Sequence, residues 1–338
     1  MKEASFYHVI DSSTSTVQCD LCSHRCIIKI GKKGICNVRL NINGTLHSLV
    51  YGKLVSECSD PIEKKPLFHV LPGSLSYSIA TVGCNFKCSH CQNHQISQYP
   101  ITTPDSVPGT LRTPSQVVDI ASSQGCKSIS YTYIEPTIFF EFAIETAELA
   151  HQKGLKNIFV SNGYTSPEAT IKIAPFLDAN NIDLKSFSDK FYQQICKAKL
   201  APVLDTISLM KERGVWIEVT TLIIPGLNDS DAELGEIAKF LVGLDPEIPW
   251  HVSRFHPTYK LTTSPPTPPE SLYRAKEIGH AAGLKYVYTG NIHGMGGEDT
   301  FCPECHKTVV KRSGYTIEKN CITDGKCPKC NSPIAGLW

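Results

Sequence analysis

Thr81-Val-Gly-Cys-Asn-Phe-Lys-Cys-Ser-His-Cys91 is the stretch that decides how this chain is read. Cys84, Cys88 and Cys91 form a C-x3-C-x2-C array directly behind an apolar run, Ser78-Ile-Ala-Thr-Val-Gly83, that reads as a strand. Three thiolates this close in sequence can hold three corners of a cubane [4Fe–4S] cluster, whereas full ligation needs four. One iron is then open to a substrate or cofactor. The competing reading is a zinc knuckle with His90 or His94 as fourth ligand.

Around this stretch the chain has 338 residues, enough for a large core and one or two small appendages. Its 41% apolar and 19% charged content is that of an ordinary globular protein. Basic and acidic residues nearly cancel (33 against 32, net +1), so global charge gives no case for nucleic acid or a membrane surface. No apolar stretch is long enough to span a bilayer. The opening Met1-Lys-Glu-Ala-Ser-Phe-Tyr-His8 lacks the apolar core of a signal peptide, and a cytoplasmic location is expected. Fifteen cysteines in short clusters then read as metal ligands rather than disulfides. Cys58, Cys126, Cys196 and Cys321 fall outside the clusters and read as small hydrophobes.

Three regions separate: a cysteine-rich metal-binding module over 1–58, an α/β region over 59–294 and a cysteine-rich tail over 295–338. In the middle region strands are expected at 78–82, 128–133, 157–161, 181–184, 216–223, 250–254 and 286–288. Helices are expected between them at 114–125, 137–153, 166–176, 201–213, 231–241 and 270–282. This alternation predicts a parallel sheet, closed or partly closed, with ligand groups at the C-terminal strand ends. Those ends carry Tyr131-Thr-Tyr-Ile-Glu-Pro136, Val160-Ser-Asn-Gly-Tyr164, Asp183-Leu-Lys185, Thr220-Thr-Leu-Ile-Ile-Pro-Gly-Leu-Asn228 and His251-Val-Ser-Arg-Phe-His256.

The tail pairs Cys302-Pro-Glu-Cys305 with Cys327-Pro-Lys-Cys330, the pattern of a zinc ribbon or rubredoxin-like module. Both Zn2+ and iron accept tetrahedral S4; a structural zinc is expected, because a segment this short needs a metal to fold. The N-terminal Cys19, Cys22, Cys26 and Cys36 could hold zinc or an auxiliary [4Fe–4S] cluster. The small, polar loop leans the reading towards zinc.

Taken together, these motifs resemble the radical S-adenosylmethionine (SAM) superfamily. More closely, they are similar to the branch called AmmeMemoRadiSam-system radical SAM proteins, related to pyruvate formate-lyase activating enzymes. The likeness also draws on Asp60-Pro-Ile-Glu-Lys-Lys-Pro66 and Trp250–Pro257. The resemblance implies a partial (β/α)6 barrel carrying the two small cysteine-rich modules. It implies that Cys84, Cys88 and Cys91 hold the cluster and that SAM chelates the open iron. Glu135 would accept from the methionine amino group, in an Ile-Glu-Pro context without the family's glycines. Ser161 and Asn162 would meet the ribose or carboxylate, and Asp183 and Lys185 would form the DLK motif whose Lys meets the carboxylate. Residues 224–228 would pack near adenine. His256 is a candidate substrate-side or SAM-side group. His90 stands where the family places an aromatic beside adenine; an imidazole there could stack with a pH-dependent contact.

The activity implied is reductive SAM cleavage and hydrogen abstraction from a small molecule or partner protein. A flavodoxin- or ferredoxin-type reductant, and Memo-like and Amme-like partners, come with the resemblance. A glycyl-radical activase is the alternative, although 92–114 contains none of the extra ferredoxin-like cysteines of cluster-rich activases. A metal-stapled scaffold or nucleic-acid-binding protein without redox activity is the third reading. The open-coordination array and near-zero charge oppose it.

Overall fold

The computed structural model describes residues 1–292 and 297–338. Seven parallel strands form the centre: β2 (Leu75–Ala80), β3 (Ser128–Tyr131), β4 (Lys156–Ser161), β5 (Ala179–Asp183), β6 (Trp216–Ile223), β7 (Trp250–Arg254) and β8 (Val287–Gly290). A strand not expected from the sequence, β1 (Ser56–Pro61), runs antiparallel on β2 and crosses the anticipated boundary at residue 58. The anticipated boundary at 294 lies outside the described residues. Strand order in the sheet follows chain order from β1 to β8, and no pairing joins the two ends among the described residues. The sheet is therefore an open, partial barrel of six β/α units plus a final strand.

Each unit is built from local signals. The strands are buried on both faces, as helix-covered parallel strands are, and mix apolar residues with buried polar ones such as Ser128, Asn157 and Glu218. Helices α1 (Pro114–Ser123), α3 (Pro167–Ile173) and α5 (Asp231–Leu244) begin at Thr113, Ser166 and Ser230, whose hydroxyls cap free amides. Thr113 and Gln116 complete a reciprocal capping box. Helices α2 (Phe140–Gln152), α4 (Ala201–Glu212) and α6 (Pro269–Ala282) fill the remaining crossovers. The first strand ends two residues earlier than expected, because the chain leaves the sheet at Thr81 and turns at Gly83 (φ +99°). No helix among the described residues is long and apolar enough to cross a membrane.

The N-terminal module is two small antiparallel sheets, one of them pairing Tyr7–Asp11 with Thr16–Cys19 and Ile27–Ile28. It shares the main hydrophobic core with the barrel. The tail is a three-stranded sheet (Thr300–Phe301, Thr308–Ser313, Thr316–Asn320) followed by a strap that pairs Leu337 with Val70. His69 anchors that strap: its Nδ1 lies 2.6 Å from the Ala335 carbonyl and its Nε2 2.6 Å from the Tyr288 hydroxyl.

Candidate SAM and metal sites

A parallel sheet directs its loops to the C-terminal strand ends, and those loops enclose one cavity of about 450 Å³. Cys84, Cys88, His90 and Cys91 line it from the loop after β2, and Glu135 from the loop after β3. Ser161 and Asn162 enter at the end of β4, Asp183 and Lys185 from β5, Thr220 and Leu222 from β6, and Ser253 beyond the middle of β7. Residues up to 169 positions apart thus face one space.

The three thiols are desolvated. Burial raises the pKa of Cys84 and Cys91, while a hydrogen bond with Cys196 and then burial raise that of Cys88. The Cys84 sulfur accepts from the Phe86 amide (3.4 Å) and the Asn162 Nδ2 (3.8 Å), and Cys91 Sγ lies 3.2 Å from Ser97 Oγ. Among the described residues these three sulfurs do not all lie within 4.8 Å of one another, whereas the tail thiols do. The alternative zinc ligands are committed elsewhere or set apart: His94 stacks on Tyr259 (4.5 Å), and no group of three ligands including His90 meets the same 4.8 Å limit.

Glu135 is fully buried beside the thiols. Burial raises its pKa, against hydrogen bonds that favour the carboxylate. Oε1 accepts from the Thr137 amide (3.0 Å), Thr137 Oγ1 (2.6 Å) and Ser161 Oγ (2.9 Å); Oε2 accepts from the Asn162 amide (2.7 Å) and Ser161 Oγ (3.1 Å). The Asn162-Gly163 turn is sterically fixed: Gly163 has φ +71°, and a Cβ there would stand 2.8 Å from Ile182. Lys185 Nζ pairs with Asp183 Oδ2 at 2.8 Å. Burial alone would lower its pKa, but the Asp183 charge outweighs this and Lys185 stays cationic.

Two expectations are corrected here. Residues 224–228 do not line the cavity: Asn228 instead braces the DLK loop, donating Nδ2 to the Lys185 carbonyl (2.7 Å) and the Leu222 carbonyl (2.9 Å). His256 is exposed and outside the lining, because Phe255 turns into the core, its amide held by Thr267 Oγ1 at 2.8 Å, and the next side chain faces out. His90 does line the cavity, but its ring is neutral at physiological pH. Burial, with the Lys185 charge, pulls its pKa down to about 3, so no contact titrates there.

Comparison with known proteins agrees with this arrangement. The radical SAM superfamily profile matches residues 78–241, the span from the cysteine strand through α5. The chain belongs to the radical SAM superfamily. Enzymes of this superfamily use a [4Fe–4S] cluster and SAM, and the cavity holds the matching donors. An uncharacterized protein of Methanocaldococcus jannaschii is 47% identical over 313 residues, 92% of each chain. A second protein of that organism, named as a glycyl-radical enzyme activating enzyme, is 24% identical over 62% of this chain and 77% of its own. Among solved structures, Streptococcus suis SuiB shares the fold with a TM-score of 0.51 and 14% identity, covering 69% of this radical SAM chain and 52% of that one.

Two further cysteine sets flank the radical SAM centre. In the tail, the Sγ atoms of Cys302 and Cys330 lie 3.5 Å apart and those of Cys305 and Cys327 3.6 Å apart, all four within 4.8 Å. A tetrahedron with metal–sulfur bonds of about 2.3 Å has edges of about 3.8 Å, so this set fits one ion. The two knuckles match: His306 and Asn331 take positive φ and return amides to the Cys302 and Cys327 carbonyls. Cys19, Cys22, Cys26 and Cys36 line a second, separate pocket behind the main cavity.

The sequence does not single out Asn85 or Ser97; it reads Cys196 as a small hydrophobe and takes Asn228 only as part of 224–228, without its bracing role.

Proposed function

We propose that this chain is a radical SAM oxidoreductase that binds SAM across the Cys84–Cys91 loop, cleaves it reductively and abstracts hydrogen from a separate substrate. When bound, the cluster supplies the electron that cleaves SAM to a 5′-deoxyadenosyl radical. The observation that carries this reading is the convergence of Cys84, Cys88, Cys91, Glu135, Ser161, Asn162 and Lys185 on one cavity.

The chain's own part is binding and orientation. Lys185, held cationic by Asp183 and aimed by Asn228, suits the SAM carboxylate. The Glu135 carboxylate suits the methionine ammonium by its charge while fixing Ser161 and Asn162. Neutral His90 offers a flat, buried ring to adenine. Lys64, Asn93, Tyr133, Ser253 and Asn291 line the remaining wall and give the substrate end a polar character. The tail thiols hold a structural zinc, for which their spacing is suited. The branch resemblance adds a flavodoxin- or ferredoxin-type reductant, Memo-like and Amme-like partners and a cytoplasmic setting.

The test is anaerobic reconstitution with iron and sulfide, addition of dithionite and SAM, and assay for 5′-deoxyadenosine. Product in the unaltered chain that disappears in the Cys84→Ala/Cys88→Ala/Cys91→Ala variant is expected. Absence of a cluster in the unaltered chain would sink the reading. Similarity to proteins named as glycyl-radical enzyme activating enzymes favours a second reading, in which the substrate is a partner protein's glycine. A protein-borne radical signal on mixing with such a partner would select it.

A further inference from the structure

We propose that Cys19, Cys22, Cys26 and Cys36 hold a second cubane cluster of the [4Fe–4S] class, back to back with the SAM-side cysteines, and not a single zinc ion. The reading from sequence leaned to zinc because the loop was taken as polar. In the fold the pocket between these thiols is walled by Leu21, Ile28 and Ile138. The space between them is about 20 Å³.

The tail set provides an internal standard. There all four thiols approach within 4.8 Å, as one tetrahedral ion requires. No three thiols of the N-terminal set reach that limit among the described residues, and neither do Cys84, Cys88 and Cys91. The ligand segments are anchored at different places: the Cys19 amide donates to the Cys26 carbonyl (2.9 Å), and Cys22 pairs with Thr165 across the barrel rim. The Cys36 carbonyl packs against Gly83, where a Cβ would come within 2.9 Å of it.

Two buried donors also point to an acceptor-rich group. Arg39 Nε and Asn85 Nδ2 have no hydrogen-bond partner, and both residues line this pocket. Arg39 is otherwise held by Glu141, its Nη2 2.7 and 2.8 Å from the two carboxylate oxygens. Cluster sulfides accept such N–H groups, and hydrogen bonding to sulfur is one of the means by which proteins set cluster potential. Cys84 lines the main cavity and the next residue, Asn85, lines this pocket.

The discriminating quantity is acid-labile sulfide, which neither zinc nor a lone tail iron carries. The full chain is reconstituted anaerobically, and sulfide, iron and zinc are counted per chain. About eight sulfides are expected in the unaltered protein, and about four in each of the Cys84→Ala/Cys88→Ala/Cys91→Ala and Cys19→Ser/Cys22→Ser/Cys26→Ser/Cys36→Ser variants. About four in the unaltered chain, with none in the central triple variant and a zinc retained beyond the tail's, would overturn the inference and leave the SAM site intact. About four sulfides in both the unaltered chain and the central triple variant would do the reverse: the N-terminal cluster stands and the SAM-site assignment fails. The comparison of these two proteins suffices even if the quadruple variant does not fold.

Discussion

Glu135→Gln separates binding of SAM from organisation of the loop that meets it. The carboxylate takes five contacts from Thr137, Ser161 and Asn162, all 3.1 Å or shorter. An amide has one oxygen. Placed at Oε1, it leaves an NH2 facing the Asn162 amide that now sits 2.7 Å from Oε2; flipped, it faces the Thr137 amide instead. Either orientation strands a buried donor, which costs about 1–3 kcal/mol, and removes a charged partner from the methionine ammonium, worth about 1.5–3 kcal/mol. The first term lowers stability with or without SAM; the second acts on binding alone. SAM affinity is therefore expected to fall by roughly 10- to 150-fold, with a destabilisation of about 1–3 kcal/mol in urea melts. Calorimetric titration of SAM into the reconstituted variant reads the first, and the melt reads the second. Affinity within threefold of the unaltered chain, alongside the expected destabilisation, would reduce Glu135 to a loop organiser and refute its contact with the amino group.

Cys88→Ala should abolish iron loading at the central site while tail metal is retained; unchanged central iron on elemental analysis would count against the ligand assignment. Gly83→Ala places a Cβ 2.5 Å from Val38 Cγ1 at φ +99° and should cost about 2–5 kcal/mol in a denaturant melt, a cost that an unchanged midpoint would disprove. Burial pulls the His69 pKa from 6.5 to about 4. The unfolded chain therefore binds the extra proton between those values, and stability should fall on acidification, by about 2 kcal/mol from pH 7 to pH 5. His69→Gln should flatten that slope, and an identical slope in the variant would assign it to other groups. Chelating the tail metal should melt the Thr308–Ser313 and Thr316–Asn320 hairpin, read as loss of amide protection there, while protection of β3 to β6 persists.

What the sequence made legible follows from what kind of physical constraint it records. Candidate metal-ligating cysteines lie at short spacings in sequence, so all three sets stand out. Strand–helix alternation is written in periods of hydrophobicity, and the seven parallel strands fall where that pattern puts them. Strand β1 was missed because Ser56-Glu-Cys-Ser-Asp-Pro61 is polar on most positions and acquires its place only by pairing with β2. Asn85 and Asn228 act on Asn162 and Lys185, 77 and 43 residues away, and no local pattern encodes such partners. His256 was placed correctly along the chain but not around it, since the turn after β7 is set by Thr267. The N-terminal cysteines show the sharpest limit of this kind. Sequence counts the cysteines, whereas the spacing of their thiols depends on tertiary ties such as the Cys22–Thr165 bridge to the barrel.

The tripeptide Gly83-Cys84-Asn85 links the two cysteine-lined pockets. Gly83 lies against the Cys36 main chain, Cys84 faces the main cavity, and Asn85 faces the N-terminal pocket. Asn85 Oδ1 accepts from Asn162 Nδ2 at 2.8 Å, and the Asn162 amide is held in turn by Glu135. Thr137, which donates twice to Glu135, is also a wall of the N-terminal pocket. The residues proposed for SAM and those that line the N-terminal pocket thus share one buried hydrogen-bond network. In a close-packed interior such a network settles into discrete arrangements rather than yielding gradually. If the proposed cluster occupies the N-terminal cage, filling or emptying it should reset the orientation of Asn162 and, through it, the geometry of the proposed SAM pocket.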